Sequence, residues 1–362
     1  MEYRYFGNGK IKTSEIGIGT EFLNTADKKT VSQIVNEAYD NGINFFDMLM
    51  TKTKYRDNFG SEFRNKRDRI IISGHIFVND KNDEKHFNDM LKRFYTDYLD
   101  ITLLQYVDTQ KNYDKLFEID GIYEYSTKLK SSGKTRLVGL CTHKLPIAEI
   151  AVKSGCFDII LFPINIAWDQ TPGRKELFDL CESKGIDIIA MKPFGRGKLL
   201  HSESRINITP IQCLSYVLSV TAVKCVIPGV SSIDELRQIL YYQNASDVDK
   251  DFSKILSHIQ NDIKGACLAC NHCLPCPAKI NIGRVIRMYE EKLINKETNS
   301  PFGNSTKTNF YAPRFFNTLP EYKGHNGKPE NCIQCGKCEE RCPFDVKIID
   351  YMKKITMSKL KI

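Results

Sequence analysis

Between residue 15 and about residue 245 the chain repeats one pattern. A short, nearly continuous apolar run is followed by a longer stretch with apolar positions every three or four residues. The apolar runs are EIGIGT (15–20), INFFDML (43–49), RIIISGHI (69–76), LDITLLQYV (99–107), TRLVGLC (135–141), FDIILFPIN (157–165), IDIIAMKPF (186–194) and AVKCVIPGV (222–230). The stretches between them include KKTVSQIVNEAYDNG (28–42), YDKLFEIDGIYEYSTKLKSSG (113–133) and SIDELRQILYYQ (232–243). The pattern predicts eight strands, each followed by a helix. Strands apolar on both faces belong to a parallel sheet covered on both sides. Gly42, Gly133, Gly155 and Gly185 stand where left-handed turns would stop helices. Eight βα units in about 240 residues fit a (β/α)8 TIM barrel. A doubly wound open sheet is the alternative, but no G-x-G-x-x-G turn follows the first strand. Active sites of such barrels lie at the C-terminal strand ends. Asp47, His75, Gln105, His143, Asn165, Lys192 and Ser231 fall there.

The alternation then stops. A helical stretch (248–265), a run of cysteines, a further helical stretch (280–296) and a Gly-, Pro- and aromatic-rich loop (297–330) precede a second cysteine run. The organisation expected is a barrel over residues 1–247 and a smaller α-rich domain over 248–362.

Composition narrows the function. Net charge is +8, but 52 Lys and Arg alternate with 44 Asp and Glu and form no basic block of the kind that tracks nucleic acid. No apolar stretch approaches the ~18 residues of a membrane span, and MEYRYFGNGKIK has no signal core, so a cytoplasmic protein is expected. In a reducing compartment, clustered cysteines read as metal ligands and not as disulfides. Of 13 cysteines, Cys141, Cys156, Cys181, Cys213 and Cys225 are scattered among apolar residues and suit structural roles.

The other eight are clustered. CLACNHCLPCP places Cys267, Cys270, Cys273 and Cys276 before Pro277, and CIQCGKCEERCP places Cys332, Cys335, Cys338 and Cys342 before Pro343. Zinc sites use cysteine pairs across a long spacer, which does not describe these runs. They resemble the bacterial two-cluster ferredoxin module, in which the fourth cysteine of each run ligates the other cluster. The resemblance implies two [4Fe–4S] clusters, one on Cys267, Cys270, Cys273 and Cys342, the other on Cys332, Cys335, Cys338 and Cys276. The first run departs from the pattern by one missing residue before Cys276. His272, inside that run, is expected at the surface.

The barrel carries a second resemblance. GINFFDM followed by GSE (60–62), DYLDITLLQ (97–105), RLVGLCTH (136–143), IIAMKPFGRGKL (188–199) and VIPGVSSIDEL (226–236) resemble the aldo-keto reductases, a subgroup of which carries such a ferredoxin tail. The resemblance implies hydride transfer between a nicotinamide cofactor, NADP(H) or NAD(H), and a small carbonyl or alcohol. It also implies a tyrosine acid tuned by a lysine and a histidine and buttressed by an aspartate. Asp47 matches the aspartate. Tyr55 is the tyrosine available in the next loop, Lys52 stands five residues after Asp47, His75 replaces the lysine, and Gln105 replaces the histidine. The cofactor set is expected at Asn165, Lys192, Gly229, Ser231 and Ser232, whereas Gln238-Ile239 replaces the Glu-Asn pair usual near the adenine.

Two functions follow. One is an oxidoreductase with altered acid–base chemistry, drawing on Asp47, Lys52, Tyr55, His75, Gln105 and His143 and coupled to two clusters. The other is a barrel without chemistry, a docking body for an electron-carrying tail with a redox partner protein.

Overall fold

The computed structural model describes residues 1–49, 53–78, 83–200, 207–268, 270–294 and 326–358. The chain divides into two compact units, Met1–Pro193 with Pro210–Asp251, and Phe194–Thr209 with Phe252–Ile362.

The first unit opens with an antiparallel hairpin of β1 (Tyr3–Phe6) and β2 (Ile11–Ser14). Eight parallel strands follow in chain order: β3 (Ile18–Gly19), β4 (Phe45–Met48), β5 (Ile71–Phe77), β6 (Leu99–Gln105), β7 (Thr135–Cys141), β8 (Ile159–Pro163), β9 (Asp187–Met191) and β10 (Val223–Ile227). The last strand returns to the first. Gly17 N donates to Val226 O at 2.8 Å, Val226 N to Glu15 O at 2.9 Å, and Gly19 N to Pro228 O at 3.0 Å. These bonds close the (β/α)8 barrel that the apolar runs predict.

Local chemistry sets the helices. Asp27 caps α1 (Lys28–Asp40) by accepting from Thr30 N at 2.8 Å, and Val31, Ile34, Val35 and Ala38 form its buried stripe. After α2 (Thr53–Phe63) and α3 (Asp83–Arg93), the single helix expected over 113–133 is three pieces. These are α4 (Gln110–Asp114), a 3₁₀ turn (Lys115–Phe117) and α5 (Ile122–Ser131). The break lies at Gly121, where a Cβ would meet the Glu118 carbonyl at 2.5 Å and that of Leu116 at 2.6 Å. Further on come α6 (Leu145–Ser154), α7 (Arg174–Lys184), α8 (Pro210–Leu218), α9 (Ile233–Leu240) and α10 (Asp247–Lys250).

The hairpin fixes which end of the barrel is open. Phe6 and Ile11 are buried in one cluster with Phe45, Ile71, Ile101, Leu137, Ile159 and Ile189. Those partners sit at or near the starts of their strands. Gly7 N donates to Asp187 Oδ2 at 2.7 Å, and Arg4 to the Val223 carbonyl at 2.7 Å. Burying a side chain such as Phe6 contributes about 2 kcal/mol. The N-terminal strand ends are thus stoppered, and the C-terminal ends form the mouth.

The second unit contains α11 (Ser253–Ile263), α12 (Ile282–Ile294), α13 (Lys337–Glu340) and α14 (Ile348–Met357). The helix expected over 248–265 is interrupted at Asp251, which is extended (ψ 115°), so α10 belongs to the first unit and α11 to the second. Ile259, Ile263, Ile280, Ile286, Phe344, Val346, Met352 and Ile355 are buried. Most of the loop expected over 297–330 lies outside the described residues. No helix among the described residues is long and apolar enough to cross a membrane.

Candidate functional site

Three neighbouring strands carry a line of polar groups into the barrel. Residues two apart on a strand share a face, and on β5 Ser73, His75 and Phe77 do so. β4 pairs with β5 so that Asp47 lies opposite Ser73, and β6 pairs with β5 so that Gln105 lies opposite Phe77. Ser73 Oγ donates to Asp47 Oδ1 at 2.5 Å. His75 Nε2 lies 2.8 Å from the same oxygen, and His75 Nδ1 lies 2.9 Å from Gln105 Oε1. An oxygen therefore faces each ring nitrogen. Asp47, His75 and Gln105 are all buried, His75 to 1% exposure. Both ring nitrogens of His75 are thus met by side-chain oxygens, and the ring is buried.

His143 is held differently. Asp108, just beyond β6, accepts from His143 N at 2.6 Å and Thr142 Oγ1 at 3.0 Å with Oδ1. Its Oδ2 lies 2.9 Å from His143 Nδ1. Three contacts from two adjacent residues fix the ring and set Nδ1 as the donor. The His143 side chain is 19% exposed, against 1% for His75. An imidazole oriented by a carboxylate and partly open to solvent is an arrangement that can exchange a proton. Asp108 was missed at the sequence level, since VDT after a strand carries no motif and its partner lies 35 residues on. Tyr106, two residues before Asp108, has φ +67° and stacks on Phe77 at 5.2 Å. Backbone strain of this kind collects at functional sites.

The remaining predicted residues are scattered by comparison. Tyr55 lies in α2 and is half-buried. Lys52 lies outside the described residues. Asn165 is fully buried; its Oδ1 accepts from Trp168 N at 2.9 Å and its Nδ2 donates to the Lys192 carbonyl at 3.3 Å. Lys192, past β9, has φ +61°. Ser232 caps α9 by accepting from Glu235 N at 3.2 Å. Ser231 donates its N–H and its hydroxyl to Glu235 Oε2 at 2.6 and 2.9 Å. Burial pushes the Glu235 carboxyl up, against the lowering by those hydrogen bonds. Phe22 packs on Gly229, where a Cβ would meet its ring at 2.1 Å. In the turn expected to seat a cofactor phosphate, Ser231 has both donors engaged by Glu235, and Phe22 covers Gly229.

Behind the mouth, Asp169 and Arg174 form a buried pair at 2.6 Å. Burial raises the Asp169 carboxyl to about 6 even beside the guanidinium. Burial also pushes the thiols of Cys181, Cys213 and Cys225 up, which keeps them unreactive.

In the second unit the eight clustered cysteines surround two cavities. Cys267, Cys270 and Cys273, with Cys342 from the other run, line the first. Cys332, Cys335 and Cys338, with Cys276 from the other run, line the second. Gly265 N donates to Phe344 O at 2.5 Å, and Gly327 N to Lys279 O at 2.8 Å, which holds the two runs side by side. Arg341 clasps the first run by donating to the carbonyls of Cys273 and Pro275, each at 2.7 Å. Ile282 and Ile348 line both cavities. Four thiols lining one largely apolar cavity, twice over, fit a polynuclear cluster.

A barrel of parallel strands with its chemistry at the C-terminal ends defines a class of enzyme scaffold, and comparison with known proteins gives the family. The sequence profile of the aldo/keto reductase family matches residues 15–211, and that of the 4Fe-4S binding domain matches residues 328–347. The uncharacterized oxidoreductase YqkF of Bacillus subtilis (strain 168) is 26% identical over 313 residues, covering 73% of this chain and 98% of that protein. The uncharacterized oxidoreductase YrpG of the same organism is 22% identical over 225 residues, covering 55% and 68%. Among solved structures, the holo form of aldo-keto reductase AKR11C1 from Bacillus halodurans superposes with a TM-score of 0.60 at 21% identity, covering 72% of this chain and 96% of that one. The chain belongs to the aldo/keto reductase family. It is an oxidoreductase of that type with a 4Fe-4S binding domain.

Proposed function

We propose that this protein interconverts a small carbonyl compound and its alcohol at the barrel mouth, and that its second unit holds two [4Fe–4S] clusters as an electron relay. The observation that carries the reading is the pair of four-cysteine cavities, each completed by a cysteine from the other run, in a chain whose barrel is that of an aldo-keto reductase. Cys267, Cys270, Cys273 and Cys342 would hold one cluster, and Cys332, Cys335, Cys338 and Cys276 the other. When bound, such clusters supply or accept electrons singly.

Reducing a carbonyl to an alcohol takes two electrons and two protons. The chain's own part is the protons. His143, oriented by Asp108, is placed to give a proton to the carbonyl oxygen and to recover it from solvent, and the carbonyl carbon takes the second proton from solvent as the second electron arrives. Asp47, His75 and Gln105 form the rigid wall beside it. No hydride from a nicotinamide is assigned, because Glu235 engages the Ser231 donors of the turn that would seat its phosphate and Phe22 packs on Gly229 there. The same engaged turn favours a second reading, in which the barrel is a docking body and the second unit alone carries current to a redox partner protein.

The test is anaerobic. The iron-loaded protein is given dithionite-reduced methyl viologen and a panel of small aldehydes and ketones. Carbonyl-dependent viologen oxidation, two per alcohol formed, is expected. Cluster reduction with no turnover across the panel selects the docking reading. Tight binding of NADPH or NADH, followed by nucleotide fluorescence, overturns the reading without a nicotinamide.

A further inference from the structure

The two cavities are built from matching motifs, but the residues around their first cysteines differ in exposure to solvent. The residue after the first cysteine is Leu268 in one run and Ile333 in the other. Leu268 is 6% exposed and Ile333 is 65% exposed. The third cysteine, Cys273, is buried, while its counterpart Cys338 is half-buried. The second cysteine is half-buried as Cys270 and exposed as Cys335. Phe344 and Val346, which line only the first cavity, are within 3% exposure, while Ile280 and Met352 line only the second at 1% and 2%. Over the second, Ile333, Gln334 and Cys335 stand in solvent as three consecutive exposed residues. Gln334 holds φ +53°, which bends the loop around the second cavity.

We infer that this rim, Ile333 to Cys335, is the port through which single electrons enter and leave the protein, and that the first cavity is the inner station. The inference rests on the two-cluster reading. Electron transfer falls steeply with distance, so a carrier in solution exchanges first with the site whose ligands it can approach. One electron leaves a reduced one-electron carrier and arrives at the cluster behind Cys335, with no bond made or broken. Cluster exposure also tunes potential, so the two sites are unequal by construction although their ligand sets are alike. Arg341 adds to the inequality, since its guanidinium is fastened to the backbone of the inner run.

The test uses charge at the rim. The full-length protein is reconstituted, reduced with dithionite, freed of excess, and oxidised with ferricyanide in a stopped-flow instrument. Ile333→Lys is expected to speed the oxidation and Ile333→Asp to slow it, each several-fold at low salt. The differences should shrink as salt screens them. His272→Lys and His272→Asp place the same charges on the exposed part of the first run and should leave the rate where it was. All four side chains are at exposed positions, and each variant is used only at wild-type iron content. A larger response at 272 than at 333, or no opposite-signed response at 333, overturns the port. Iron content separates this failure from failure of the underlying reading. About eight irons per chain fit two clusters and about four do not, whereas the comparison of 333 with 272 is decided at either value.

Discussion

The barrel and the cysteine unit hold their chemistry in opposite ways. The barrel stands on its own packing, with eight strands around an apolar interior and a hairpin across one end. Its polar groups are perched on that scaffold. Exchanging one side chain for another at the mouth leaves the strands in place, which is how His75 and Gln105 can occupy ends where the family resemblance leads one to expect other residues. In the cysteine unit the proposed ligands line the cavities. Ile282, Ile348 and Met352 pack against cavities and not only against each other. There the cofactor would complete the core, so ligand geometry and fold are one requirement.

The sharpest way to break this contrast is to strip the iron anaerobically. The second unit should lose its helical signal and become open to proteolysis, because metal-binding free energy in such units is folding free energy. The barrel should keep a cooperative melt of its own. A second unit that stays folded without iron would end the distinction. Next in size, Cys276→Ser should remove about half the iron and take the cluster shared with Cys332, Cys335 and Cys338. Selective loss of the other cluster would refute the crosswise assignment.

Within the barrel the expected effects are smaller and leave the fold intact. Asp108→Asn removes the carboxylate that orients His143. Turnover should fall about 100-fold with a flattened pH profile and little change in KM. An unchanged pH profile would make the pair structural. The smallest effect concerns Asp169. Its folded value of about 6 lies above its ordinary 3.8, so the folded state keeps a proton that the unfolded state releases. Stability from this group is greatest below about pH 4, falls as pH rises to 6, and is level above, a loss of up to about 3 kcal/mol. Urea denaturation of Asp169→Asn should lack that slope; an unaltered slope would mean that the charge is relieved by other groups.

The same contrast explains what the sequence could disclose. Apolar runs and helix-ending glycines are local, so the eight βα units were legible, and the cysteine spacing was legible because neighbours in the chain are neighbours in space. The break at Gly121 was missed because it depends on two carbonyls crowding one Cα. Asp108 was missed because its meaning comes from a partner 35 residues away. The engagement of Ser231 by Glu235 was equally hidden, since S-S-x-D-E reads as a helix start whether or not its donors are spent.

Cys335 and Ile333 have one more consequence, for life in air. A rim open to an electron carrier is open to dioxygen, a far smaller visitor. Oxidative damage would begin at that edge and spare the Phe344-covered cavity for longer, so a preparation briefly exposed to air would retain its inner cluster and lose its connection to the outside. The protein would then be silent toward every external donor while still coloured by iron.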